Sequence, residues 1–513
     1  MTDAPRLRGN IGRFQYLALG FGTMIGSAWV ILLGDWLGKA GPGGAVLGFL
    51  AGGVVIVLVG ACYAELAAYL PEAGSEFVYA RRVYGRGLAF TVGWFLILYL
   101  LSVTVFEALA FAWIVETVRP GTPALPVGIG GALVITALNL RGAQLAVISH
   151  TFLTYSFFAV VIFILLALLA YGSAHNLTPL FAATHGRNWW LGSGAIFAFC
   201  AYGLNGFQSI PHAVEERSGN TSLRAIGWII MGCICAAAAF YCLVVIAASV
   251  IGPWQDLVSA PLPTVAAVRN LPHGQAFALA LLIATAASLL KAWNGVFMMA
   301  VRLLVAMARA ECVPAVFARL HPRSHSPVAA ILAAGGCTIA GIFLGKGAIG
   351  PITDMSAMVL TLTYGMCCWT VLLIRRRGLP VAAVSTAAGL GSAAVGGAAD
   401  AAARVVVGPG AAADPAAGAI VGLGAAAGPA NAVAPTAAPA RGAASWLVWL
   451  ALIGSALMAA CAFLTPFWQQ PGFPLEYQLL AAWGLMGFVV WRYALTPPSD
   501  PNSPSTPPPS SAP

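Results

Sequence analysis

The sequence predicts an all-α polytopic membrane protein of about twelve transmembrane helices, on three observations: a composition too apolar for water, twelve apolar stretches, and a one-sided distribution of positive charge. Of the 513 residues 60% are hydrophobic and 8% charged, with a mean hydropathy of +0.87. Water-soluble domains carry about a quarter charged residues. In lipid every backbone N–H and C=O must be satisfied within its own segment, which takes a helix of about 20 mainly apolar residues.

The stretches cover residues 16–37, 43–70, 87–115, 125–140, 147–171, 191–213, 223–251, 275–307, 328–344, 352–374, 446–464 and 477–495. The fourth and ninth are short, and removing either would invert the sidedness of everything downstream. Charge tests the count. With the N-terminus (1–15) inside, 19 of the 25 Lys and Arg fall on the cytoplasmic side, whereas Lys39, Arg119, Arg187, Arg269 and Lys346 fall outside and Lys291 lies within the eighth span. That is the positive-inside rule obeyed loop by loop, and it places both termini of a multi-pass cell-membrane protein in the cytoplasm. The net charge of +9 is then a consequence of topology. It calls for no nucleic-acid partner, and a basic inner face suits anionic lipid of the bilayer.

The first span is expected to stay, because its basic leader is short and no small-residue cleavage pattern follows the apolar stretch. The ten cysteines form no CxxC pair and no Cys/His ligand spacing, so they read as small buried residues, with no metal and no cofactor. Residues 380–442 are almost entirely Ala, Gly, Val and Pro, too small-sided to pack, and read as a flexible cytoplasmic loop before the last two spans. The Pro/Ser-rich 497–513 reads as a disordered tail.

Two spans break the pattern. The first carries Gly20, Gly22 and Gly26, and the sixth carries Gly203 and Gly206 within Tyr-Gly-Leu-Asn-Gly-Phe. Close packing through small residues is one reading. The other is a pair of discontinuous helices, and their spacing favours it: five spans apart, an odd number, means that the second copy enters the membrane from the opposite side. That is an inverted repeat, five helices over 16–171 and five over 191–374. Transporters of this design bind substrate at the midplane between broken helices, with half-helix N-termini toward anionic groups and unwound carbonyls toward cations.

Four stretches carry a family resemblance. They are Gly22 to Trp29 in the first span, Tyr63 to Arg81 at the end of the second, Phe197 to Glu216 in the sixth, and Arg302 to Pro314 with Pro327 and Val328 between the eighth and ninth. They resemble the amino acid-polyamine-organocation superfamily of permeases, whose members share the LeuT-like fold. The resemblance implies a secondary transporter of amino acids or related amines. It implies that backbone amides around Ile25, Gly26, Ser27 and Ala28 receive a substrate carboxylate, and that carbonyls near Tyr202, Gly203, Asn205 and Gly206 receive an amine, with Tyr202 as an aromatic gate. One departure is Ala28, where the family usually has glycine; its methyl narrows the approach to those amides.

An ionisable group at membrane depth costs about 2.5–3.5 kcal/mol on insertion scales, so each one is a functional candidate. Lys291 lies mid-span between Ser288 and Asn294, and Glu107 lies in the outer half of the third span. In sodium-coupled relatives helices 1 and 8 form an ion site, which some proton-coupled members fill with a lysine from helix 5. Residues 150–170 hold no lysine here. Lys291 is expected to supply that charge from helix 8, within reach of the backbone oxygens of Thr23 to Gly26, and to exclude Na⁺ in favour of protons or simple exchange. A structural lysine bonded to carbonyls or a carboxylate is the alternative. Glu107 reads as a counter-charge for a cationic substrate, a partner of Lys291, a proton relay, or a hydrogen-bonding group toward a neighbouring helix. Asp35, Glu65 and Glu116 lie nearer the interfaces and read as wetted or capping carboxylates.

Rival classes lack their signatures. No HExxH, GxSxG or phosphate loop in usable form points to an enzyme, and no repeated filter points to a channel. A sodium-coupled symporter and a non-transporting sensor on a transporter fold remain as alternatives.

Overall fold

The computed structural model describes residues 12–70, 75–140, 147–182, 189–212, 214, 218, 221–321, 326–377, 445–469 and 474–495. The expected loop over 380–442 and tail over 497–513 lie outside the described residues, as do Glu215 and Glu216 of the sixth-span motif. All regular structure among the described residues is helical. Among the described residues eight helices are long and apolar enough to cross a membrane, and Ala124–Leu140 and Val328–Ile342 are shorter apolar ones.

The first span is built from α1 (Arg13–Met24), α2 (Ala28–Ile31) and the start of α3 (Leu33–Tyr69). No loop separates it from the second span. Instead α3 runs through both and kinks at Gly41, whose φ of 69° is open to glycine alone at little cost, next to Pro42. The third to fifth spans are α5 (Arg86–Val118), α6 (Ala124–Leu140) and α7 (Val147–Tyr171), with the amphipathic α4 (Ser75–Tyr84) before them. The sixth is α8 (Trp189–Gly203) with α9 (Ser209–His212); the seventh is α10 (Leu223–Val250). Two short segments, α11 (Gln255–Val258) and α12 (Pro263–Arg269), precede α13 (Gly274–Arg309), α14 (Val328–Ile342) and α15 (Ile349–Arg377). The last two spans are α16 (Ser445–Gln469) and α17 (Leu475–Leu495). Every expected span, the short fourth and ninth included, has its helix.

Between helices in lipid there is no hydrophobic drive, so close van der Waals approach through small residues does the packing. Gly48 and Gly52 of α3 lie against Ile196 and Cys200 of α8, and Gly60 lies against Ile230 and Ile234 of α10. Of the three carboxylates read as wetted or capping, Asp35 is exposed and Glu116 partly exposed, each also with an ion-pair partner, whereas Glu65 is largely buried and takes Arg375 Nε at 2.7 Å and Nη2 at 2.5 Å, joining the ends of α3 and α15. Asp35 holds Lys39 at 2.8 Å, and Glu116 holds Lys346, which also lies over the Trp113 ring. At the periphery, Trp94 of α5 and Trp483 of α17 stack at 4.9 Å and each indole N–H donates 2.9 Å to the other's carbonyl.

Candidate functional site

Both glycine-marked spans are interrupted. Helical hydrogen bonding in the first stops at Met24, Ile25 turns to φ −101° and ψ 90°, and the helix resumes at Ala28. In the sixth, α8 ends at Gly203 and residues 204–208 form turns before α9. The two breaks touch: Thr23 Oγ1 lies 2.9 Å from the Gly206 carbonyl oxygen and 3.0 Å from Ser209 Oγ. Gly206 sits at φ 118°, and a side chain there would run into the Thr23–Met24 backbone.

A cavity of about 320 Å³ lies between the breaks and the facing sides of α5, α10 and α13. Of the expected residues, Gly26, Ser27, Ala28, Tyr202, Gly203, Asn205 and Gly206 line it, whereas Ile25 is fully buried behind the wall. One end carries the half-buried Gln15 and the exposed Arg302. The opposite end is closed by aromatic packing: Trp29 on Phe240 at 5.5 Å, and Trp36 on Phe49, Phe199 and Tyr241 at 5.0, 5.2 and 5.6 Å.

Glu107, which sequence could not orient, faces this cavity. It is 4% exposed, its Oε2 accepts a 2.8 Å hydrogen bond from Ser27 Oγ, and its Oε1 stands beside Gly26. Asn205 is held by two tyrosines: Tyr99 Oη donates to its Oδ1 at 2.5 Å, and its Nδ2 donates to Tyr364 Oη at 3.0 Å. Tyr364 in turn receives Gln208 Nε2 at 3.2 Å and donates to the Ala201 carbonyl at 3.1 Å, which fixes the sixth-span turn. Tyr99, Phe106, Tyr241, Met298 and Met299 also line the cavity and were not singled out from the sequence. They lie in regular helices, and nothing in their local pattern separates a cavity-facing aromatic from a packed one.

Lys291 does not line the cavity. Its amine donates 2.8 Å to Thr154 Oγ1 of α7, so its direct bond runs to the fifth span and not to the carbonyls of Thr23 to Gly26. The reason is helical register: Ala292, Gly295 and Met299 of α13 face the cavity, whereas Lys291 is turned toward α7. Asn294 points to a third neighbour, accepting from Asn139 of α6 at 2.8 Å. Nearby Thr285 and Ser288 hydroxyls are buried without a hydrogen-bond partner among the described residues.

A profile of the amino acid permease family matches residues 11–390, which takes in both breaks and the whole cavity lining. The chain belongs to the amino acid permease family. Relatives include a chloroplastic cationic amino acid transporter 6 of Arabidopsis thaliana, 24% identical over 71% of this chain and 64% of its own length. The glutamate/serine transporter AimA of Bacillus subtilis is 26% identical over 73% of the chain and 72% of its own length. The methylthioribose transporter of Bacillus subtilis is 23% identical over 70% and 80%. These relatives are transporters, not enzymes. The chain thus matches less than two thirds of the Arabidopsis relative.

Proposed function

We propose that this permease is a secondary transporter that moves amino acids or related amines across the cytoplasmic membrane by alternating access, independently of Na⁺ and by proton coupling or exchange. The observation that carries the reading is the junction of the two broken spans at a cavity holding one buried carboxylate, Glu107, with Ser27, Tyr202 and Asn205 beside it. Unwound backbone at membrane depth is tolerated only where it lines a cavity or is buried in protein, and in an inverted five-helix repeat the midplane junction is where substrate binds.

With the N-terminus in the cytoplasm, the end carrying Gln15 and Arg302 is the inner one, and the aromatic packing around Trp29 and Trp36 is a closed outer gate. Access from outside then requires Trp29 and Trp36 to part from Phe240, Tyr241 and Phe199. Lys291 supports sodium independence in a modified form: its amine bridges α13 to α7 through Thr154 and makes no direct bond to the helix 1 carbonyls of the ion site that helices 1 and 8 form in sodium-coupled relatives, so it acts there through its charge. A fixed ammonium there repels a sodium ion. Uptake into proteoliposomes with separately imposed Na⁺ and pH gradients, over a mixed amino acid and amine panel, tests the proposal. Uptake driven by a Na⁺ gradient alone, at equal pH on both sides, refutes the coupling part, and no uptake or exchange of any member refutes the whole.

A further inference from the structure

The cavity's charges are distributed unevenly. Among the described residues its lining holds one carboxylic acid, Glu107, whose Oε2 takes the Ser27 hydroxyl and whose Oε1 stands at Gly26. Among the described residues the cation on its wall is Arg302, which sits at the exposed rim. Lys291 is turned to Thr154 and lies off the lining. The remaining surface mixes aliphatic and small polar groups with aromatic rings, those of Tyr99, Phe106, Tyr202 and Tyr241. The Tyr202 hydroxyl has no hydrogen-bond partner among the described residues and is free for a ligand.

The first break is where a substrate carboxylate would sit, against the polar groups of Gly26, Ser27 and Ala28. Here the protein's own carboxylate already takes the Ser27 hydroxyl, and the Ala28 methyl crowds the same place. An ammonium seated against Glu107 favours the ionised carboxylate there; a ligand that also brought its own carboxylate would then set like charges side by side where little water screens them, whereas one bringing the ammonium alone would find Glu107, aromatic faces and tyrosine hydroxyls. The geometry points to Glu107 as a built-in occupant of the carboxylate subsite, which makes the site select amines that carry no carboxylate, such as diamines and guanidino-amines, over the corresponding amino acids. This rests on the reading of the cavity as the substrate site and narrows the substrate class within it.

Matched probes isolate the one group that matters. Agmatine and arginine, or cadaverine and lysine, differ only by a carboxylate. Titration calorimetry of the full chain in nanodiscs at one neutral pH should show each amine binding about tenfold or more tighter than its amino acid. Glu107→Gln keeps size and a hydrogen-bonding oxygen for Ser27 but removes the charge, and should erase or reverse that ratio. Glu107→Asp keeps the charge and should keep each amine ahead of its amino acid, which separates loss of charge from disturbed folding, and melting curves check that both variants remain folded. Amino acids binding the wild type as tightly as their amines, or a ratio unchanged in Glu107→Gln, overturns the inference and leaves the cavity as the substrate site. Binding of none of the four probes to folded wild type overturns the cavity reading and the inference with it.

Discussion

Replacing Gly206 by alanine tests the junction of the two broken spans more directly than any other change. At φ 118° an alanine is held in a region that L side chains rarely adopt, at a cost of about 1–3 kcal/mol. Its Cβ would also lie 2.8 Å from Met24 N and from the Thr23 carbonyl carbon, and 2.9 Å from the Thr23 oxygen. Those are backbone atoms, so the two breaks have to part by a few tenths of an ångström, weakening the 2.9 Å contact of Thr23 Oγ1 with the Gly206 carbonyl by about 1 kcal/mol. Together about 2–4 kcal/mol is lost, which at 1.4 kcal/mol per decade reduces the population with joined breaks at least about thirtyfold. The control is Gly295→Ala, on the cavity wall, whose Cβ meets nothing within 4 Å. Gly206→Ala should lower the melting temperature of the purified protein and cut proteoliposome uptake more than tenfold, while Gly295→Ala should melt at or above the wild-type temperature. If the two variants melt and transport alike, the junction is not the strained contact described here.

Other expectations concern charge and the unpacked segment. Arg375→Leu leaves Glu65 without its two donors at the ends of α3 and α15, and should cost about 1–3 kcal/mol in thermal or denaturant melts, partly recovered by adding Glu65→Gln. Lys291→Met removes the bond to Thr154 and should abolish the pH dependence of uptake, whereas Lys291→Arg, always protonated, should insert and fold yet transport poorly; unaltered pH profiles in both would remove Lys291 from coupling. Shortening 380–442 should leave uptake unchanged, because a segment without bulky apolar side chains adds no core, and lost uptake in a correctly inserted deletion would assign that segment a role.

What the sequence reveals follows from which properties are local. Span positions are local, since twenty apolar residues are a spanning helix wherever they pack, and even the short α6 and α14 were legible. The breaks were legible because glycine clusters mark them. Orientation is not local. Glu107 and Lys291 looked alike as buried charges, yet one turns into the cavity and the other toward Thr154, a difference set by how α5 and α13 rotate against their neighbours. The tyrosines that hold Asn205 come from α5 and α15, far apart in the chain, and no pattern near either announces the contact. Likewise the ion pair of Glu65 with Arg375 joins residues 310 positions apart, which is why Glu65 read as merely wetted.

The kink at Gly41 has a mechanical counterpart across the chain. Gly43 N donates to the Leu180 carbonyl at 2.7 Å and Ala182 N donates to the Ala40 carbonyl at 3.2 Å. Residues 180 and 182 belong to the stretch leading from the fifth span to the sixth, so this stretch is strapped to the elbow between the first and second spans. The two broken spans therefore meet at Thr23 and Gly206 and are also tethered where the first span ends and the approach to the sixth begins. Tilting the second half of the first span either drags the approach to the sixth along with it or sheds two backbone hydrogen bonds, so that strap couples the two spans at the end where Trp29 and Trp36 pack.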